Sequence, residues 1–172
     1  PDVDPISLRR RVGMVFQRPN VFPGSIRSNV SYGPRLARTN GDLDSLVERC
    51  LVRSGLWDEV RGDLSASALT LSGGQQQRLV IARALALGPE VILMDEPTAA
   101  LDPAASAGIE ALVTELATDH AIVLVTHDLS LARRVSNRAA FFAAEYDEQG
   151  SRHGRLVEVG PSEQVLGNPR DD

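Results

Sequence analysis

Five consecutive residues, Leu71-Ser72-Gly73-Gly74-Gln75, stand directly before a stretch with helical apolar spacing. Ser72 can cap a helix there, and two glycines let backbone amides approach an anion closely. The helix dipole and the unsatisfied N–H groups make such a terminus suited to phosphate. The same geometry fits a capped helix after a Gly-Gly turn, but chance produces the literal pentamer in only about a few of every ten thousand chains this size. Further along, Val91-Ile92-Leu93-Met94 runs into Asp95 and Glu96. Ligands of open parallel sheets bind beyond the carboxyl ends of the strands, and both acids would face that crevice. One carboxylate suits a hydrated magnesium ion, while its neighbour could orient and deprotonate an attacking water. A buried strand ending in a polar loop has the same appearance, and such a run occurs by chance about once in a few tens of chains. His127 and Gln17 follow other apolar segments, and Asp102 precedes Pro103 where it could cap a helix. Each of these three is weak alone; their order and strand-end placement make the joint case.

The elements needed to position these residues are legible. Arg11 to Gln17, Glu90 to Met94 and Ala121 to Val125 read as strands, continuous enough to indicate a parallel sheet covered on both faces. Arg138 to Ala144 and Arg155 to Val159 read as a terminal hairpin around the loop EYDEQGSRHG. Gln75 to Leu87 places Leu79, Ala82, Leu85 and Ala86 on one helical face, and Ala104 to Thr118 does the same with Ile109, Leu112, Val113 and Leu116. Pro103 sits where a first helical turn tolerates it. Strand and helix in alternation predict an α/β architecture with right-handed crossovers. Ser25 to Leu69 lacks strand signals and reads as a mainly helical insertion.

Composition narrows the chemistry. The chain has 172 residues and a formal net charge of -5, and its 18 basic residues are all arginine. Without lysine, these residues hold no catalytic or Schiff-base lysine and no complete phosphate loop ending in Gly-Lys-Ser/Thr. With 42% hydrophobic and 24% charged residues the composition is globular. The longest apolar run, Ala139 to Ala144, is far short of the ~20 residues of a membrane span. An acidic balance argues against a broad nucleic-acid footprint, and Arg9-Arg10-Arg11 reads as a solvated strand entrance. Cys50, the single cysteine, excludes an internal disulfide and falls on the apolar spacing of Leu43, Leu46, Val47 and Leu51, as an inert core residue would.

LSGGQ, then VILMDEP, then ALD, then a strand followed by histidine resembles the nucleotide-binding subunits of ATP-binding cassette (ABC) transporters across essentially the whole chain. The phrases RRRVGMVFQRPNVFPGSIRSNVSYGPRL, GLWDEVRGDLSASALTLSGGQQQRL and GRLVEVGPSEQVLGNPRDD are similar to the ATPase subunits of phosphate importers. The resemblance implies a P-loop NTPase-like fold: a mainly parallel sheet flanked by helices, with a helical signature subdomain. It also implies a Q-loop at Gln17, a signature at Leu71, Ser72, Gly73, Gly74 and Gln75, a Walker B pair at Asp95 and Glu96, a D-loop at Asp102 and a switch histidine at His127. Gln17 and Asp95 would serve magnesium, Glu96 would be the base, and His127 would contact the γ-phosphate of ATP. Residues 1–24 would form the Q-loop strand and loop, 25–88 the helical subdomain, and 89–172 the remaining core with the hairpin.

Two subunits would face head to tail as a homodimer, each ATP lying between one subunit's Walker motifs and the other's signature. The dimer would serve two transmembrane permease subunits and, indirectly, a substrate-binding protein, as a peripheral component on the cytoplasmic face of a prokaryotic membrane. Nucleic acid would not be a partner. There are departures. Ala99 stands where serine is more usual, and Glu145 to His153 is longer and more polar than is typical. No Walker A loop and no adenine-stacking aromatic precede Gln17, so the sequence is expected to be a piece of a longer chain that is itself inactive. Import of another oxyanion or solute, a DNA-repair or chromosome-type ATPase and a non-hydrolysing scaffold are the other readings. No heptad run separates Gln17 from Leu71, as the DNA-repair type would need.

Overall fold

In the computed structural model, which describes residues 4–39, 41–146 and 150–167, the chain forms two compact units, Pro1–Val125 and Thr126–Asp172. The first unit begins with helix α1 (Pro5–Arg11), capped by Asp4, whose carboxylate accepts from the Ile6 and Ser7 amides. Strand β1 (Val12–Val15) follows at once. The Arg9–Arg11 run is therefore the last turn of a helix and not a strand entrance. Asp before Pro is a cap followed by a first-turn proline, a signal that the arginine run obscured. Cations also sit well against the carboxyl end of the helix dipole. Arg11 then reaches across to Glu90 with two 2.7 Å contacts, and this guanidinium holds the Glu90 carboxyl below its ordinary value.

The predicted helical insertion is helical. It comprises α2 (Ile26–Leu36), α3 (Leu43–Arg53), α4 (Trp57–Val60) and a single 3₁₀ turn at Ala68–Thr70. Helix α5 (Gly73–Leu85) packs against α2 and α3 and also against β1. Val30, Val47, Leu51, Leu56, Leu79 and Ile81 are fully buried in this layer. Cys50 joins them at 5% exposure, and burial pushes its thiol pKa up, as an inert core thiol requires.

Strand β2 (Val91–Asp95), helix α6 (Pro103–Leu116) and β3 (Ala121–Val125) complete this unit. The sheet order is β1-β2-β3, all parallel, with Val15 opposite Met94 and Asp95 opposite Val125. Val15, Ile92 and Met94 are buried on one face. There Gly13 lies so near α5 that an added Cβ would be 3.5 Å from Ala84 Cβ. The other face differs from the expectation of cover on both sides: Met14, Val123 and Val125 are 40%, 51% and 58% exposed. Continuous apolar strands record a requirement for two covering layers; these elements bring one.

His120 joins the turn before β3 to the turn before β2. Its Nδ1 donates to the Pro89 carbonyl at 2.9 Å, which leaves Nε2 to accept from Arg53 at 3.1 Å. Arg53 also clasps Asp119.

The second unit contains α7 (Leu129–Val135), the antiparallel pair β4 (Arg138–Tyr146) and β5 (Arg152–Pro161), and α8 (Ser162–Gly167). Leu131 and Val165 are its buried apolar anchors, and Ser136 and Ser162 bond each other. The hairpin is longer than its apolar arms. Polar residues of the supposed loop pair in register, Glu145 with His153 and Tyr146 with Arg152, and Arg155 donates to Glu145 at 2.5 Å. A bulge at Phe141/Phe142 adjusts the register.

Candidate functional site

The turn at Leu71–Gln75 is built by reciprocal capping. Ser72 Oγ accepts the Gln75 amide at 3.3 Å, and Gln75 Oε1 accepts the Ser72 amide at 2.9 Å. This capping box fixes the first turn of α5 and leaves Ser72 and Gly73 exposed. Leu71 is half-buried, its carbonyl taking the Gln76 side chain at 2.9 Å. Gly74 is required by packing: an added Cβ would lie 2.9 Å from Ala105 Cβ in α6. An added Cβ on Gly73 would meet only Leu101 Cδ2, at 3.7 Å. The two glycines of the motif therefore differ, one holding α5 close to α6 and the other leaving open backbone.

Asp102, in the segment before α6, is exposed and turns its carboxylate onto the first turn of that helix. Oδ1 accepts the Ala104 and Ala105 amides, both at 3.0 Å, as the helix cap. Asp102→Ala should lower stability by about 1 kcal/mol while Asp102→Asn retains most of it, as read from urea-unfolding midpoints. Equal losses in the two variants would show that charge, not capping, is what the residue supplies.

Asp95 ends β2, half-buried, on the face shared with Leu93, Val123 and Val125. Glu96 follows in the left-handed region, at φ 44°. Its N–H donates to the Val125 carbonyl at 2.9 Å, and its carbonyl accepts from Ala99 at 3.2 Å. Such a conformation costs a non-glycine residue about 1–3 kcal/mol and turns the side chain out of the strand's alternation. Gln17 is exposed, two residues beyond the end of β1 and not at its last position. Gln17, Asp95 and Glu96 thus follow neighbouring parallel strands at one carboxyl edge. Among the described residues no cluster of three or more His, Cys, Asp or Glu could hold a metal. One carboxylate with one amide nevertheless fits magnesium, which keeps waters and shares substrate phosphates. His127 belongs to the second unit, just before the Asp128 cap of α7. There the Leu131 and Ser130 amides, in that region of positive dipole, hold Asp128 below the ordinary carboxylate range.

Four residues outside the motifs hold these segments. Gln77, 1% exposed, donates to the Phe16 carbonyl at 3.4 Å, directly before Gln17. Arg83 lies 4.0 Å over the Phe22 ring and donates to the Asn20 carbonyl at 2.7 Å, while buried Asn29 bonds both the N–H and the carbonyl of Phe22. Burial pushes the Arg83 guanidinium pKa down. Glu59 in α4 binds Gln75 and Arg78. The signal for Asn29 and Arg83 was polar residues on otherwise apolar helix faces; for Glu59 the sequence carried none beyond the phrase GLWDEV.

A sequence model of the family described as "ABC transporter" matches residues 3–99. The chain belongs to the ABC transporter family. Among its relatives, the phosphate import ATP-binding protein PstB 1 of Synechococcus sp. (strain JA-2-3B'a(2-13)) is 56% identical over 169 residues, covering 98% of this chain and 62% of that protein. The phosphate import ATP-binding protein PstB of Salinibacter ruber is 52% identical over 171 residues, covering 99% of this chain and 65% of that protein. This chain thus spans under two thirds of the length of these relatives. The solved structure of CbiO1 from Clostridium perfringens, part of the ABC transporter complex CbiONQ, superposes with a TM-score of 0.75 at 26% identity, covering 95% of this chain and 62% of that one. The fold is that of this family: a parallel sheet flanked by helices.

Proposed function

We propose that this chain is the signature-bearing and hydrolysis-bearing portion of an ATPase that drives phosphate import through an ABC transporter. The observation that carries this reading is identity above 50% to phosphate-import ATP-binding proteins over nearly the whole chain. Gln17, Asp95 and Glu96 at one sheet edge are in keeping with it. ATP would be the substrate, held between two subunits facing head to tail. In one subunit Glu96 would accept a proton from the water that attacks the γ-phosphate, while His127 would contact that phosphate. Ser72 and Gly74 of the other would face the same nucleotide, with the α5 amides and dipole directed at its charge.

Magnesium, held through Asp95 and Gln17, would neutralise charge on the phosphate oxygens. Lysine charge on the β- and γ-phosphates would come from a phosphate loop outside these 172 residues, which hold no lysine. Two permease subunits and, through them, a substrate-binding protein would be the partners, with the ATPase on the cytoplasmic face of a prokaryotic membrane. Among the described residues no helix is long and apolar enough to cross a membrane.

The test is two-tiered. The 172 residues alone should hydrolyse ATP negligibly; robust magnesium-dependent turnover by them would overturn the division of labour. Joined to a phosphate-loop segment and assembled with its permeases in vesicles, the protein should couple ATP hydrolysis to uptake of labelled phosphate. Uptake of a different oxyanion in its place would transfer the assignment to that solute.

A further inference from the structure

The capping box at Leu71–Gln75 is braced by a side chain outside the turn. Gln75 serves the capping box with its amide oxygen, so its Nε2 must point the other way. Within the turn the Ser72 N–H, a donor, admits only the oxygen end of that amide. Glu59 holds the opposite end, outside the turn: its Oε2 accepts Gln75 Nε2 at 2.8 Å. An ionised carboxylate can only accept, so it admits the nitrogen and rejects the oxygen. The other carboxylate oxygen accepts Arg78 Nη2 at 2.7 Å, and Gln75 and Arg78 are an i,i+3 pair on one face of α5. Glu59 is held in place by its own short helix, flanked by Leu56 and Val60 at 0% and 6% exposure.

The ion pair is too exposed for its charge to add much stability, with side chains 26% and 41% accessible. Its consequence is orientation: one carboxylate fixes Arg78, the Gln75 amide and, through that amide, the Ser72 N–H. We infer that Glu59 is a positioning residue for the signature turn, holding Ser72 and Gln75 in the arrangement presented to a nucleotide. This deepens the ATPase reading above and rests on it for the consequence, though not for the contact.

Two measurements test it. In the 172-residue chain, Glu59→Ala should speed amide hydrogen exchange at Ser72 and Gln75 about tenfold, with Leu79–Leu85 protected as before. Glu59→Gln, which keeps one acceptor oxygen, should fall between. Unchanged exchange at Ser72, or loss of protection along all of α5, would overturn the inference. In the protein carrying a phosphate loop, Glu59→Ala should lower kcat about tenfold, or about 1.4 kcal/mol of barrier. KM for ATP should stay within about twofold, because the turn would act on the other subunit's nucleotide after it has bound. Wild-type kcat in Glu59→Ala, or a rise in KM alone, would count against it. Should the unsubstituted protein itself fail to hydrolyse ATP, the ATPase reading falls, and the exchange measurement still decides whether Glu59 sets the turn.

Discussion

Glu96→Gln should lower ATP turnover by about 10²–10⁴-fold in the protein carrying a phosphate loop, with ATP still bound. The substitution changes basicity and little else. Glutamine has the same length, and the backbone at φ 44° is held by the Glu96 N–H on Val125 and the Ala99 N–H on the Glu96 carbonyl, neither of which involves the side chain. A left-handed residue in place of a continued strand is strain that the surrounding bonds must hold, and its effect is to turn one carboxylate away from the Asp95 alternation. Asp95 and Glu96, adjacent in sequence, are thereby freed from pointing to opposite faces of the sheet. Steady-state hydrolysis with equilibrium nucleotide binding measures both halves of the expectation. Normal turnover would remove Glu96 from the role of base, and lost binding with lost turnover would make it a ligand instead.

Gly74→Ala should destabilise the fold by about 1–3 kcal/mol, the usual penalty of overpacking. Alanine is the better helix former by about 1 kcal/mol, so a stabilised protein is the result that propensity alone would give. The 2.9 Å approach to Ala105 Cβ decides against it, because ordinary contacts between such carbons begin near 3.4 Å. Ala105 cannot yield locally: its amide is one of the two that Asp102 caps. Ala105→Gly in the Gly74→Ala background should restore much of the loss, and a double-mutant cycle on unfolding free energies would measure the coupling. Additive effects would show that α5 and α6 do not meet there. Gly73→Ala, with only Leu101 Cδ2 at 3.7 Å, should leave stability nearly unchanged. Any loss of turnover in that variant would then report the space Gly73 keeps for a ligand, separated from packing.

How much could be read in advance varies with how local each cause is. The helices at Gly73–Leu85 and Pro103–Leu116 were legible because their apolar spacing, their Ser72 and Asp102 caps and Pro103 all lie within the segment. The parallel sheet was legible from uninterrupted apolar runs. Helix α1 is masked in the sequence by the charge of three arginines, although Asp4-Pro5 marks a helix start. The full length of the hairpin is not legible from hydrophobicity, because its arms continue into polar residues. Polar residues such as Glu145 and Arg155 can sustain a strand through cross-strand pairing that no single arm displays.

The sequence by itself determined the chemistry available: LSGGQ before a helix, Asp95-Glu96 at the end of a strand, Asp102 before Pro103, and the absence of lysine from these residues. These are properties of residue type and short spacing, and they survive being read one after another. Tertiary structure decided what each residue does with its neighbours. It made Gly74 a contact with Ala105, put Glu96 in a left-handed turn bonded to Val125, and set Glu59 over Gln75. The physical reason is distance along the chain. A steric limit of a few tenths of an ångström, or the anchor for the free end of an amide, is set by atoms many residues away, and only the folded chain brings them together.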